Sequence, residues 1–188
     1  MSTPETLEGR LRRLEDIEAI RALDARYCRV LDDGDVAELV NLFTSDGEFH
    51  GLEVACGRDE LHHFFSGLVE SGLTAFWHHV TNLEITIGPE DRTPEPGHGE
   101  DADPEQARHA SATSLLWQPC VLDREPHIAA GRYYDRLVHQ PGQGWRYRRK
   151  QVAFYYFTPL QQGWAPARFS LPAAAATHRS TTAAMERP

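Results

Sequence analysis

Residues 14–35, LEDIEAIRALDARYCRVLDDGD, decide the fold. Leu14, Ile17, Ile20, Leu23, Tyr27 and Val30 recur at three- and four-residue steps, which draws one apolar face along a long helix. Upstream, Thr3 followed by Pro4 supplies a start: a capping hydroxyl, then a proline whose fixed φ suits the first turn. Asp33-Gly34 supplies the stop, because glycine accepts the left-handed conformation in which helices often end. Asp35 then opens a second helix. Glu38 stands three residues on, and Val36, Leu39, Val40 and Phe43 form the apolar stripe.

Beyond these helices the pattern changes. Asp46-Gly47 reads as a turn into a short strand over 48–50, and a third helix is expected over 59–71, burying Leu61, Phe64, Phe65, Leu68 and Val69. From Trp77 the period becomes two. Leu83, Ile85 and Ile87 take one face, and Val80, Asn82 and Glu84 the other. Further strands are expected over 109–118, 127–139 and 144–157, the last two joined by a turn over 140–144. Helices followed by a run of strands give an α+β domain over residues 1–170. Within it, 88–106 is rich in proline, glycine and acid and reads as a long flexible loop. Residues 171–188 read as a disordered tail.

The chain has 188 residues and a formal charge of -9 at pH 7, and 40% of it is hydrophobic. That supports one real core and excludes wholesale disorder. The acidic balance argues against a nucleic-acid partner. No apolar run approaches the ~20 residues of a membrane span, and the charged N-terminus lacks the apolar stretch of a secretion signal. A cytoplasmic protein with no membrane partner is expected. Cys28, Cys56 and Cys120 fit neither a disulfide framework nor a zinc site. Glycine-rich nucleotide loops, a nucleophile elbow and a His-Glu-x-x-His motif are all missing from the sequence. His62-His63 occupies adjacent helix positions, which face apart, so the pair reads as solvated. Neither metal nor cofactor is expected.

Four polar groups stand where apolar ones would cost less. Tyr27 lies on the helical stripe, Asp32 near the helix end, His78 at the start of the first strong strand beside Val80 and Asn82, and Lys150 at the end of the run 146–150. Each has an ordinary explanation. Asp32 suits backbone amides at a helix end, and Tyr27 suits a core with its hydroxyl satisfied. His78 suits a hydrogen-bonded strand edge, and alternation places Lys150 on a solvated face with Arg146 and Arg148.

A resemblance weighs against those explanations. It is carried by 17–35, by 42–51 (LFTSDGEFHG) with the helix start Gly57-Arg58-Asp59-Glu60, by 78–83 (HHVTNL) and by 144–160 (GWRYRRKQVAFYYFTPL). Together these segments resemble the SnoaL-like branch of the nuclear-transport-factor-2-like superfamily. Within it they are most similar to the group of lindane dehydrochlorinase, bile-acid 7α-dehydratase and scytalone dehydratase. The resemblance implies a cone: N-terminal helices over a strongly curved mixed or antiparallel sheet, with an internal pocket. It implies a histidine-aspartate pair, and ungapped alignment places the aspartate on Asp32 and the histidine on His78 rather than His79. Tyr27 falls where the bile-acid enzyme has a pocket tyrosine. The dehydrochlorinase has lysine at that position and, in some forms, arginine at the position of Lys150. This chain differs at both cationic sites, which bears on the leaving group.

The activity so implied is that of a cofactor-independent lyase of the dehydratase type acting on a small hydrophobic or polycyclic substrate. His78 would be the base and Asp32 its orienter. Tyr27 would bond the leaving oxygen or an enolate, and Lys150, pointing inward, would stabilise negative charge. A neutral imidazole suits the base role near neutral pH, and a carboxylate on one ring nitrogen fixes its tautomer. Phe49, His50, Phe64, Trp77, Phe154 and Tyr156 are the expected pocket walls. The same fold admits an isomerase or polyketide-cyclase-type enzyme, or a non-catalytic ligand-binding or assembly protein. A homodimer or homotrimer is expected by analogy, through outward residues such as Val138, Tyr147 and Tyr155. Residues 161–168, with Trp164 and Pro166, are expected to cover the pocket mouth or reach a neighbouring subunit.

Overall fold

The computed structural model describes residues 6–71, 73–88 and 108–162. Its first helix, α1 (Leu7–Asp33), opens on Thr6, whose hydroxyl accepts the Gly9 N–H at 3.1 Å. The expected start at Thr3-Pro4 lies outside the described residues. The stop is as read. Gly34 takes φ 76°, and the N–H groups of Gly34 and Asp35 close back onto Leu31 O and Val30 O, both at 3.1 Å. Asp35 then caps α2 (Val36–Val40) by accepting the Glu38 N–H at 2.9 Å. Phe43, assigned above to this helix, instead begins a strand.

The strands are β1 (Phe43–His50), β2 (Val54–Cys56), β3 (Leu73–Phe76), β4 (His79–Ile87), β5 (Arg108–Leu122), β6 (Glu125–Gln140) and β7 (Gly144–Pro159). α3 (Gly57–Glu70) lies between β2 and β3, and a single 3-10 turn (Leu160–Gln162) follows β7. They form one sheet in the order β2-β1-β7-β6-β5-β3, with β4 also paired to β5. β1 runs parallel to β7, and every other pair is antiparallel. The result is a strongly curled mixed sheet with a few helices packed over it, the cone expected from the sequence. Ile20, Tyr27, Val30, Leu61 and Phe65 from the helices meet Phe43, Leu116, Leu137 and Tyr147 from the sheet in one buried cluster. Leu14 is 64% exposed and Val69 39%, so both apolar stripes overrun the core.

Irregularities in the sheet set which residues face inward. Asn82 takes φ 53°, and the β4–β5 register shifts between Thr81 and Glu84. Val80 therefore joins the half-buried side of Leu83, Ile85 and Ile87, not the face of Asn82 and Glu84. In β7, Leu137 pairs with Tyr147 and Arg136 with Arg149, leaving Arg148 unopposed. That extra residue turns both Tyr147 and Lys150 inward, so Tyr147 is a core residue rather than an outward one. A second shift sets Gly131 against Phe154 and Ala130 against Tyr156, skipping Tyr155. Asp46-Gly47 is likewise an irregular stretch inside β1, where the β7 partners jump from Tyr147 to Arg149, rather than a turn before a strand. The expected loop beyond Gly88, the tail and residues 163–168 lie outside the described residues. No helix among the described residues is long and apolar enough to cross a membrane.

Gly131 is needed where β6 and β7 slip past each other. A Cβ there would sit 2.6 Å from Ala153 O, a backbone atom that cannot swing aside. Gly131→Ala should therefore cost about 1–3 kcal/mol, the usual range for overpacking a filled interior. The check is a lowered denaturant midpoint at unchanged slope; an unchanged midpoint would show that the strands absorb the methyl group.

Candidate active site

Asp32 is the penultimate residue of α1, and His78 stands in the two-residue link between β3 and β4. The Asp32 carboxylate takes two donors from that one residue. Oδ1 lies 2.5 Å from His78 Nδ1, and Oδ2 accepts the His78 backbone N–H at 3.0 Å. The histidine side chain is 4% exposed and the aspartate 18%. An ionised carboxylate only accepts, so Nδ1 is the donor in this contact, which in a neutral imidazole leaves the lone pair on Nε2. The edges of Phe76 and Tyr27, 5.7 and 6.5 Å away between ring centres, confine the imidazole.

His78 forms part of the wall of a cavity of about 570 Å³ inside the cone. Phe49, Phe64 and Phe154 line it, as the sequence suggested. Three other expected walls do not. Trp77 is 55% exposed and turned to the outside. His50 alternates away from Phe49 and hydrogen-bonds Glu48 Oε2 at 2.8 Å, on the far side of the strand. Tyr156 is displaced by the irregularity at Tyr155, and Phe157 lines the cavity instead. Sequence reasoning missed Tyr133 and Gln118, both buried and both lining the cavity. Their signal was alternation along β5 and β6, readable once those strands have a register. On its other side His78 borders a second, polar groove with Asp32, Asp24, Cys28, Arg21 and Arg29. Burial pushes the Cys28 thiol there up to about 12, Asp24 adding to the rise. Among the described residues no cluster of His, Cys, Asp and Glu is arranged to hold a metal ion.

Lys150 points inward but does not line the cavity. Fully buried, its Nζ donates to Asp135 Oδ2 at 2.8 Å and Asp24 Oδ1 at 3.3 Å. It lies over the rings of Tyr27, Tyr133 and Tyr147, 4.4, 4.2 and 4.5 Å from their centres. The first two of these rings do line the cavity. Burial disfavours the ammonium, yet Asp135 and Asp24 hold its pKa above the usual lysine value. Burial pushes the Asp135 carboxyl up to about 6 against the pull of Lys150, and its Oδ1 has no partner among the described residues.

A carboxyl whose pKa is higher folded than unfolded favours folding at low pH, and that contribution is lost as pH rises through the folded value. For Asp135 the window runs from about 4 to about 6. Between pH 4 and pH 7 the protein should lose about 2–3 kcal/mol of unfolding free energy relative to Asp135→Asn. Denaturant titrations at the two pH values measure the difference, and parallel pH dependences would reject a proton-binding Asp135.

The family described as a SnoaL-like domain matches residues 12–151. No curated protein sequence matches the chain. Solved structures with the same fold include a candidate scytalone dehydratase from Novosphingobium aromaticivorans, at 21% identity and a TM-score of 0.62, covering 78% of this chain and 89% of that one. A hexachlorocyclohexane dehydrochlorinase from Novosphingobium barchaimii is 18% identical with a TM-score of 0.63, over 86% of this chain and 99% of its own. A Mycobacterium tuberculosis protein of unknown function is 20% identical with a TM-score of 0.62, over 92% and 91%.

Proposed function

The chain belongs to the SnoaL-like domain family, and from that premise we propose that it is a cofactor-independent lyase of the dehydratase type. Its substrate would be a small, largely apolar ring compound with a carbonyl and a β-hydroxyl group. One observation carries this reading: the Asp32 carboxylate lies 2.5 Å from His78 Nδ1 on the wall of an apolar cavity.

The chemistry follows from that arrangement. His78 Nε2 takes the proton from the carbon beside the carbonyl, and the C–H electrons form an enolate. As the enolate collapses, the carbon–oxygen bond one carbon further breaks. The imidazolium returns its proton to the departing oxygen, which leaves as water. Asp32 holds the ring and stabilises the imidazolium while it exists. Tyr27, whose ring lines the cavity, donates its phenol to the enolate or the leaving oxygen. Lys150 touches neither. Its ammonium lies against the Tyr27 ring, while burial, with Asp135 and Asp24 adding to it, holds the phenol well above its usual pKa and so keeps it protonated as a donor.

The test uses 3-hydroxy-1-tetralone, which yields fluorescent 1-naphthol on losing water. His78→Ala and Asp32→Asn should each lower kcat on this probe by about 10²–10⁴-fold, the usual contribution of a positioned general base. Asparagine can donate to Nδ1 and hold the ring in the wrong tautomer, so its effect should approach that of the alanine. Circular dichroism and the melting temperature check that both variants fold. Folded variants as fast as the parent protein, or a parent protein inert towards the probe, would sink the reading.

A further inference from the structure

We infer that Gln118 is the residue that selects an oxygen on the substrate, so that the cavity takes oxygenated ring compounds in preference to hydrocarbons or halocarbons of the same shape. Gln118 lies on β5 between Leu116 and Cys120, the buried neighbours of its inward row. It is 8% exposed and lines the cavity. Among the described residues nothing hydrogen-bonds its amide. Two other buried polar side chains differ: Asp16 is held by Arg108 and Trp145, and Lys150 by Asp24 and Asp135. The amide faces an otherwise mainly apolar cavity, where leucine or methionine would fill the same volume with no polar group to satisfy. The amide is thus left for something that enters the cavity.

Its position says where on the substrate that something lies. β3 and β4 meet β5 in a common register, with Phe76 opposite Cys120 and His79 opposite Trp117. The Trp77 N–H donates to Pro119 O at 3.2 Å between them. Carried across the link, this register sets His78 opposite Gln118, and both side chains face the cavity. The amide is therefore next to the base, within reach of an oxygen on the reacting carbon or its neighbour. Such a site discriminates asymmetrically. A ligand with an oxygen there satisfies the amide, whereas one with only carbon or chlorine leaves it buried and unpaired. Purely apolar walls do not make that distinction.

This inference rests on the cavity being the reaction chamber proposed above, but its test does not depend on turnover. 1-Tetralone and tetralin are matched bicyclic probes that differ at one carbon, a carbonyl in the first and a methylene in the second, and neither carries a leaving group. Their dissociation constants are measured by isothermal titration calorimetry for the parent protein, Gln118→Leu and Tyr27→Phe. The parent protein should bind the ketone about tenfold or more tighter than the hydrocarbon, one good hydrogen bond's worth of preference. Gln118→Leu should lose most of that ratio through weaker ketone binding, with tetralin bound equally well or better. Gln118→Met serves the same comparison should the leucine variant fail to fold.

A parent protein without ketone preference, including one that binds neither probe, overturns the assignment. So does a preference that survives in Gln118→Leu but falls in Tyr27→Phe, since the oxygen then belongs to the phenol. If the dyad variants keep full activity while the binding ratio still collapses with Gln118, the proposed chemistry fails and the role of Gln118 stands.

Discussion

One carboxylate ties the helical layer to the sheet at the point where chemistry is proposed. Asp32 reaches from the last turn of α1 and takes both the ring and the backbone N–H of His78. The second of these bonds fixes the backbone as well as the side chain, so the ring's origin and its tautomer are set by the same group. Its geometry depends on the neighbouring stretch of chain. Gly34 ends the helix in a left-handed turn, and Asp35 starts α2 by capping it. Asp32 therefore sits on rigid helix rather than on a loop, which suits a group that must hold another in place.

The second buried polar centre has a different logic. Lys150, Asp24 and Asp135 form an ionic group inside the cone, walled by Tyr27, Tyr133 and Tyr147. Removing charges from water is expensive, and a buried pair of this kind is weak evidence for stability. What the group does provide is an ammonium, fixed between two carboxylates, behind two phenols of the cavity wall. Tyr27 touches both centres, its ring 6.5 Å from the His78 ring and 4.4 Å from Lys150 Nζ. Lys150 reaches this centre because β7 contains one residue too many at Arg148.

Much of this is legible in the sequence, and the limits have a common cause. The 3.6-residue period of α1, the Asp33-Gly34 stop and the Asp35 cap are local signals, and the structure agrees with each. Asp32 and His78 stand out through matched segments, and the structure brings them together. The errors cluster at irregular strand positions. Strict alternation misplaces Val80, Lys150 and Tyr156, and each lies close to an extra residue, at Asn82, Arg148 or Tyr155. Such an insertion is fixed by what the neighbouring strand offers, so it has no signature in the strand itself. His50 and Trp77 fail more simply, as aromatic groups beside true wall residues but on the opposite face. Gln118 is silent in the sequence because a lone glutamine in a strand says nothing until its register shows that it faces an enclosed space.

The imidazole at position 78 borders two spaces, the apolar chamber within the cone and the charged groove outside α1. One side chain thus meets a carbon-lined interior and a charged exterior at once, so a substitution at this position changes the lining of both spaces together.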